Sequence, residues 1–225
     1  MDHSVHLDLT TGMSPVNPME PHPSLKMKPA RRQLLFAAAT RAFTAHGFEQ
    51  ASLNRIIGEI GMSKSSFYHY FANKTELFQQ IVHQAVAPFA EMIEGFTPEK
   101  LSKDRFWPAI MAITNISTDL LQSHPEVFQV GRMFHRNLHQ PNGICEDLMV
   151  GPMRLLTRTL EHGKVIGAIR DDLPSSLLLD GVVALGMATD RWVLLHTEQY
   201  TPEEFEVLNS KILGMFIRIL APDEG

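Results

Sequence analysis

The run from Ser52 to Leu77, SLNRIIGEIGMSKSSFYHYFANKTEL, constrains this chain more than any other stretch. Leu53, Ile56, Ile57 and Ile60 recur at i, i+3, i+4 and i+7, which makes one apolar face of a short helix. Gly61 then supplies the left-handed freedom that a tight helix-ending turn needs. Ser63 suits the N-cap of a second helix, on which Phe67, Tyr70 and Phe71 share a face. The opposite face carries Lys64, Ser65, Ser66, Tyr68 and His69, none of which a core requires. Two short helices around a glycine turn, the second with polar side chains outward, follow the plan of a DNA-reading helix-turn-helix.

The charge distribution agrees with that plan. The chain is acidic as a whole, at −5, which taken alone argues against a nucleic-acid partner. Residues 28–80, however, hold seven basic side chains against three acidic ones, a net +4 that leaves −9 for the rest. A basic segment on an acidic body is the footprint of a phosphate-facing module carried by something with other work. The single cysteine, Cys145, excludes an internal disulfide framework and suits a reducing compartment. Residues 1–27 lack a basic start followed by an apolar run, so no signal peptide is read there. The longest apolar stretch, Leu177 to Leu195, is interrupted by Asp180, Asp190 and Arg191, which argues against a membrane span. The expected location is the cytoplasm.

Along the chain every periodic segment is helical, and the pattern predicts an all-α fold of about nine helices. Residues 1–27, with four prolines and the three histidines His3, His6 and His22, read as a disordered tail with solvated imidazoles. Residues 28–75 read as the helix-turn-helix domain and 76–225 as a helical body. Leu35, Ala39, Ala42 and Phe43 form the face of a first helix that ends at Gly47. Ser52 and Ser63 cap the next two helices. Asn73 with Glu76 looks like a capping box for a fourth, and Thr97-Pro98-Glu99 opens a further turn. Helices follow near 106–123 and 126–139, and Gly151-Pro152 is expected to break or restart the one after. Pro174 opens a long apolar helix to about His196, and Thr201-Pro202-Glu203-Glu204 starts the last.

Ala38, Phe43, Gly47, Ser52, Ile56, Gly61, Ser63-Lys64, the aromatic run Phe67 to Phe71, Lys74 and Glu76-Leu77 together resemble the TetR family of transcriptional regulators. The resemblance covers about residues 31–78, and outside it the body matches only in helix count and in generic segments. It implies a DNA-binding three-helix head on a ligand-binding, dimerising helical body. It also implies that Ser52, Tyr68, His69 and Lys74 contact phosphates and that Lys64, Ser65 and Ser66 lie nearest the major-groove edges. Arg31 and Arg32, ahead of the first helix, would reach backbone or minor groove as a basic arm. A helix N-terminus, a lysine and short hydroxyls each suit phosphate or base edges for separate reasons. Three positions depart from the family habit. Ile57 and Ile60 replace small residues, and Ser65 replaces a common glycine and adds a hydroxyl near DNA.

The body offers two further expectations. The helix near 174–196 is apolar on almost every side, and such a helix must be covered all round. With Gly181, Ala184, Leu185, Ala188 and Trp192 on it, and Leu208, Ile212 and Phe216 on the last helix, the pair reads as half of a homodimer interface. Trp107, Met111, Phe128, Met133, Phe134, His135 and Trp192 are candidate walls of an effector pocket, although such residues also simply fill cores. His135 and Asp190 are candidate polar anchors. His135 and His139 have a chelating spacing, but Arg132 and Arg136 beside them oppose a cation, so no metal is expected. No cofactor is expected either. No phosphate-cradling glycine loop, zinc quartet or placed nucleophile suggests an enzyme.

The resemblance implies repression of transcription, relieved when a small hydrophobic or aromatic ligand in the body moves the two heads out of register with duplex DNA. A TetR-like activator, or a helical protein-interaction module without DNA function, stands as the alternative.

Overall fold

Proline at the first helical position, after Lys28, starts a helix that turns its aromatic residues and most of its other apolar residues to one side, with Leu34 left exposed. The computed structural model describes residues 22–93, 95–124, 126–138 and 144–222, and its described residues form nine α-helices and no strand. Helix α1 (Pro29–Gln50) buries Leu35, Ala38, Ala39 and Phe43, and its helical path breaks at Gly47, where φ is 76°. Helix α2 (Leu53–Glu59) is capped by Ser52, whose hydroxyl accepts from the Arg55 N–H. Gly61 takes φ 62° in the turn, as its place predicts, and Ser63 caps α3 (Lys64–Tyr68). Helix α4 (Lys74–Ile93) starts with half of the expected box. Asn73 Oδ1 accepts from the Glu76 N–H at 2.8 Å, while the Glu76 carboxylate reaches back to the Ala72 N–H rather than to Asn73.

The body comprises α5 (Lys103–Ser123), α6 (Glu126–Asn137), α7 (Glu146–Val165), α8 (Ser175–His196) and α9 (Pro202–Leu220). A 3-10 turn, Pro98–Lys100, precedes α5 where Thr97-Pro98-Glu99 announced a start. Thr201 and Glu204 form a complete capping box for α9. Helix α7 corrects one expectation: it runs through Gly151-Pro152 without a break. Pro152 lies early in the helix and removes one donor, that to the Leu148 carbonyl, a cost that flanking turns can absorb. Pro88 and Pro108 are likewise inside α4 and α5.

Two apolar clusters hold these helices. The first joins the head to the body: Phe43, Phe67, Phe71 and Phe78 are fully buried, with Leu77 and Ile81 of α4 and Met133 of α6 among them. Each fully buried side chain of this size contributes about 1.5–3 kcal/mol. Helices α4 and α6 therefore belong physically to both halves of the chain. The second cluster links α5, α7, α8 and α9 through Phe106, Leu160, Ile169, Leu178, Val182 and Leu220. Gly163 is required there, because a Cβ would lie 2.6 Å from Ile169 Cδ1 and 2.9 Å from Phe106 Cζ.

The end of the presumed tail is folded. Pro23–Lys26 makes a 3-10 turn, Met27 is buried in the head cluster, and His22 is not solvated. Its Nε2 lies 2.9 Å from Glu76 Oε1 and its Nδ1 2.7 Å from Ser24 Oγ. The burial of Met27 and these bonds outweigh the disordering bias of the prolines. His3 and His6 lie outside the described residues. No helix among the described residues is long and apolar enough to cross a membrane.

Candidate nucleic-acid interface and body cavity

Helix α3 is only five residues long, so its orientation must come from what it buries. Phe67 and Phe71 are the anchors, stacked at 5.3 Å between ring centroids. With that face fixed, Lys64, Ser65, Tyr68 and His69 are exposed and Ser66 is half-buried. Tyr68 is 56% exposed and touches Phe67 only edge-on, so it does not serve as core. Ser63 Oγ accepts from the Ser66 N–H at 3.2 Å, and Ser52 is exposed at the start of α2. Both helix starts thus present free N–H groups on the outer surface, the geometry that favours phosphate.

Three basic side chains sort differently. Arg31 is exposed in the first turn of α1. Arg32 is half-buried and donates to the Ser24 carbonyl, so it ties the N-terminal turn down instead of forming a free arm. Lys74 points inward. Its Nζ donates to the carbonyls of Phe48 at 2.6 Å, Glu49 at 3.3 Å and Ala51 at 3.1 Å, and sits 4.4 Å from the centre of the Phe48 ring. The carbonyls at the C-terminal end of α1 and just beyond it lack a following helical turn to donate to them, and Lys74 supplies the donor. Lys74→Met should therefore lose about 1–3 kcal/mol of stability in urea denaturation, since it strands half-buried carbonyls. An unchanged midpoint with weakened DNA binding would restore Lys74 to the DNA surface.

Between α4, α6, α7 and α8 lies a cavity of about 520 Å³, within the range that holds a drug-sized ligand. Helix α4 contributes His83, Val86 and Phe89, and α6 contributes Phe128, Phe134 and His135. Met149 and Pro152 come from α7, and Met187, Asp190 and Leu194 from α8. A smaller cavity of about 310 Å³ lies on the other side of α8, against α5 and α9. Asp190 opens onto both.

Of the proposed pocket walls, Phe128, Phe134 and His135 line the larger cavity. Met133 is fully buried in the head cluster, and Met111 is exposed. Trp107 lines the smaller cavity and donates its indole N–H to the Ala168 carbonyl at 3.2 Å. Trp192 is exposed and stacks on His196 at 4.5 Å. The misplaced residues share a cause: Met and aromatic side chains look alike in sequence whichever face of a helix they occupy. His83, Phe89, Met187 and Leu194, which the sequence did not single out, line the larger cavity as well. The spacing of Met187, Asp190 and Leu194 at i, i+3 and i+7 would have revealed the α8 wall. His139, which shares a chelating spacing with His135, lies outside the described residues.

Apolar surroundings perturb the groups that titrate here. Burial pushes the Asp190 carboxyl up to about 6, even though the cavity keeps it open to solvent. Burial, and then the nearby His22, hold His83 below its usual value. Burial also pushes the Cys145 thiol up to about 11, which leaves it inert as a nucleophile. A raised carboxylate costs stability in full above its folded value, and that cost disappears as pH falls towards the ordinary 3.8. Asp190→Asn should accordingly melt higher than wild type above pH 6, with the gap closing on acidification. A gap that is absent or independent of pH would show that the carboxylate is well solvated.

On the far side of α8, Leu177, Gly181, Ala184, Ala188, Trp192 and Leu195 are exposed along one stripe. Leu185 and Leu208 are half-buried. Ile212 and Phe216 turn inward and line the smaller cavity, so the exposed apolar residues of α9 are Val207, Met215 and Ile219. The two sets differ by about one residue, or 100° of rotation, which apolar spacing alone does not resolve.

The model for bacterial regulatory proteins of the tetR family matches residues 35–81. The HTH-type transcriptional repressor Rv1474c of Mycobacterium tuberculosis is 37% identical over 168 residues, covering 69% of this chain and 81% of that protein. SmeT of Stenotrophomonas maltophilia, solved with triclosan, aligns at a TM-score of 0.62 and 18% identity over 87% of this chain and 93% of its own. FadR from Bacillus subtilis, solved with stearoyl-CoA, gives 0.61 and 17% over 82% and 97%. At such identity the two structures speak for a shared fold alone.

Proposed function

The chain belongs to the TetR family of bacterial regulatory proteins, and from that premise we propose a homodimeric repressor that binds a palindromic operator and releases it when a small ligand fills the body cavity. Residues 28–75 are the reading head and 76–225 the effector and dimerisation body. The observation that carries this reading is the outer face of α3, where Lys64, Ser65, Tyr68 and His69 are exposed while Phe67 and Phe71 hold the helix in place. Lys64, Ser65 and Ser66 read base edges; Ser52, Tyr68, His69 and Arg31 hold phosphates. The name of the Mycobacterium tuberculosis relative, a repressor, supports the sign of regulation. That SmeT and FadR, proteins of the same fold, were solved with small ligands agrees with a ligand-responsive regulator.

Release follows from which helices are shared. Helices α4 and α6 line the cavity and also pack on the head. A ligand that favours one arrangement of α4 and α6 shifts the spacing of two heads, and a coupling of about 1–3 kcal/mol suffices for regulation.

Duplex selected from a random pool by the full chain, then footprinted, tests the reading. Two protected half-sites one helical turn apart, about 34–36 Å, or a multiple of it, are expected. Failure to enrich any duplex would leave a protein-interaction module as the better account. The exposed α8 stripe provides a second check. Ala188→Glu places a charge where two copies would meet. It should convert the dimer to a monomer by sedimentation and abolish operator binding, while the far-ultraviolet circular dichroism stays that of the wild type.

A further inference from the structure

Any molecule entering the larger cavity meets an unbalanced set of charges. The lining residues include one carboxylate, Asp190, and no lysine or arginine. Among the described residues nothing donates to the Asp190 carboxylate and no cation pairs with it: burial alone accounts for its perturbed titration. Arg132 on α6 is outside the cavity wall and donates Nη1 to the Leu194 carbonyl at 3.0 Å. Arg191 follows Asp190 in sequence but projects about 100° round the helix. Asp190 is exposed where it borders the cavity, so an incoming group meets its carboxylate directly, and that carboxylate has no counter-charge among the lining residues.

The other walls suit the rest of such a ligand. Phe89, Phe128 and Phe134 offer ring faces, which attract cations as well as apolar groups. Met149 and Met187 adapt to irregular shapes. His83 is held towards its neutral form by burial, so it adds no positive charge against an incoming cation.

We infer that the cavity takes an amphipathic cation, its positive centre at Asp190 and its apolar body against the phenylalanines of α4 and α6. This assignment rests on the reading of the cavity as the effector site. An anion of the same shape would face the carboxylate with no lysine or arginine in the walls to offset it, and a neutral molecule would leave Asp190 as it is. Charge complementarity therefore selects the cation.

Three probes separate the possibilities: tetraphenylphosphonium, the isosteric anion tetraphenylborate, and the neutral triphenylphosphine oxide, which is smaller by one ring. Each is titrated calorimetrically into the full chain at neutral pH. Two variants accompany the wild type: Asp190→Asn, and Val86→Trp, which fills the cavity from a position that tolerates bulk because it is partly exposed. The phosphonium should bind wild type about tenfold or more tightly than either companion, and Asp190→Asn should remove that preference. Phosphine oxide bound as tightly as phosphonium, in wild type and Asp190→Asn alike, overturns the cation assignment and leaves the cavity reading standing. Phosphonium binding that survives Val86→Trp unchanged overturns the cavity reading. No binding of any probe overturns both.

Discussion

Raising salt from 50 to 200 mM should weaken operator binding by the full chain roughly a thousandfold or more, if a dimer neutralises about 6–10 phosphates. The expectation follows from two features of the head. The contact surface proposed above consists of helix N-termini and a few basic side chains on a segment of net +4, carried by a chain of net −5. And α3 is too short to add much apolar contact. Affinity must then come mainly from released counterions, and specificity from a few side chains. Lys64→Ala should cost about 1–3 kcal/mol at each half-site of the selected operator and much less on random duplex. Gel-shift titrations across the salt range would decide it. A flat salt response, or Lys64→Ala binding both duplexes like wild type, would remove α3 from the DNA surface.

Replacing Asn137 should have the largest effect on the fold. The side chain is 0% exposed at the end of α6, and its Oδ1 accepts from the Phe48 N–H at 2.6 Å. Its Nδ2 donates to the Met133 carbonyl at 2.7 Å and to the Phe43 carbonyl at 3.5 Å. This one amide therefore satisfies backbone groups on both sides of the break at Gly47 in α1. Asn137→Leu, similar in size, strands a buried donor and a buried carbonyl, at about 2–4 kcal/mol in total. Urea denaturation measures the loss. The same variant should also loosen the head from α6, so residual operator affinity should fall further than the unfolded fraction explains. Stability within a few tenths of a kcal/mol of wild type would show that water replaces the amide.

Helix boundaries and caps were legible because they depend on neighbours in sequence. Ser52, Ser63, Gly61 and Thr201 act where their chemistry placed them. Position in sequence was a poorer guide wherever a side chain had distant options. Lys74 looked like a phosphate ligand and is instead the donor for the α1–α2 connection. His22, assigned to a tail, is joined to Glu76 across 54 residues. Ile212 and Phe216 looked like an outer seam and line an inner cavity.

The amino-acid order alone determined an all-helical chain with a short third helix whose aromatic side faces in and polar side faces out. Local propensity, capping and apolar period require nothing beyond a few neighbouring residues. Tertiary packing decided which apolar residues enclose the cavity, which basic groups stay free, and that α4 and α6 connect cavity to head. Those outcomes depend on the rotation of each helix about its axis, and rotation is settled by the partners it packs against.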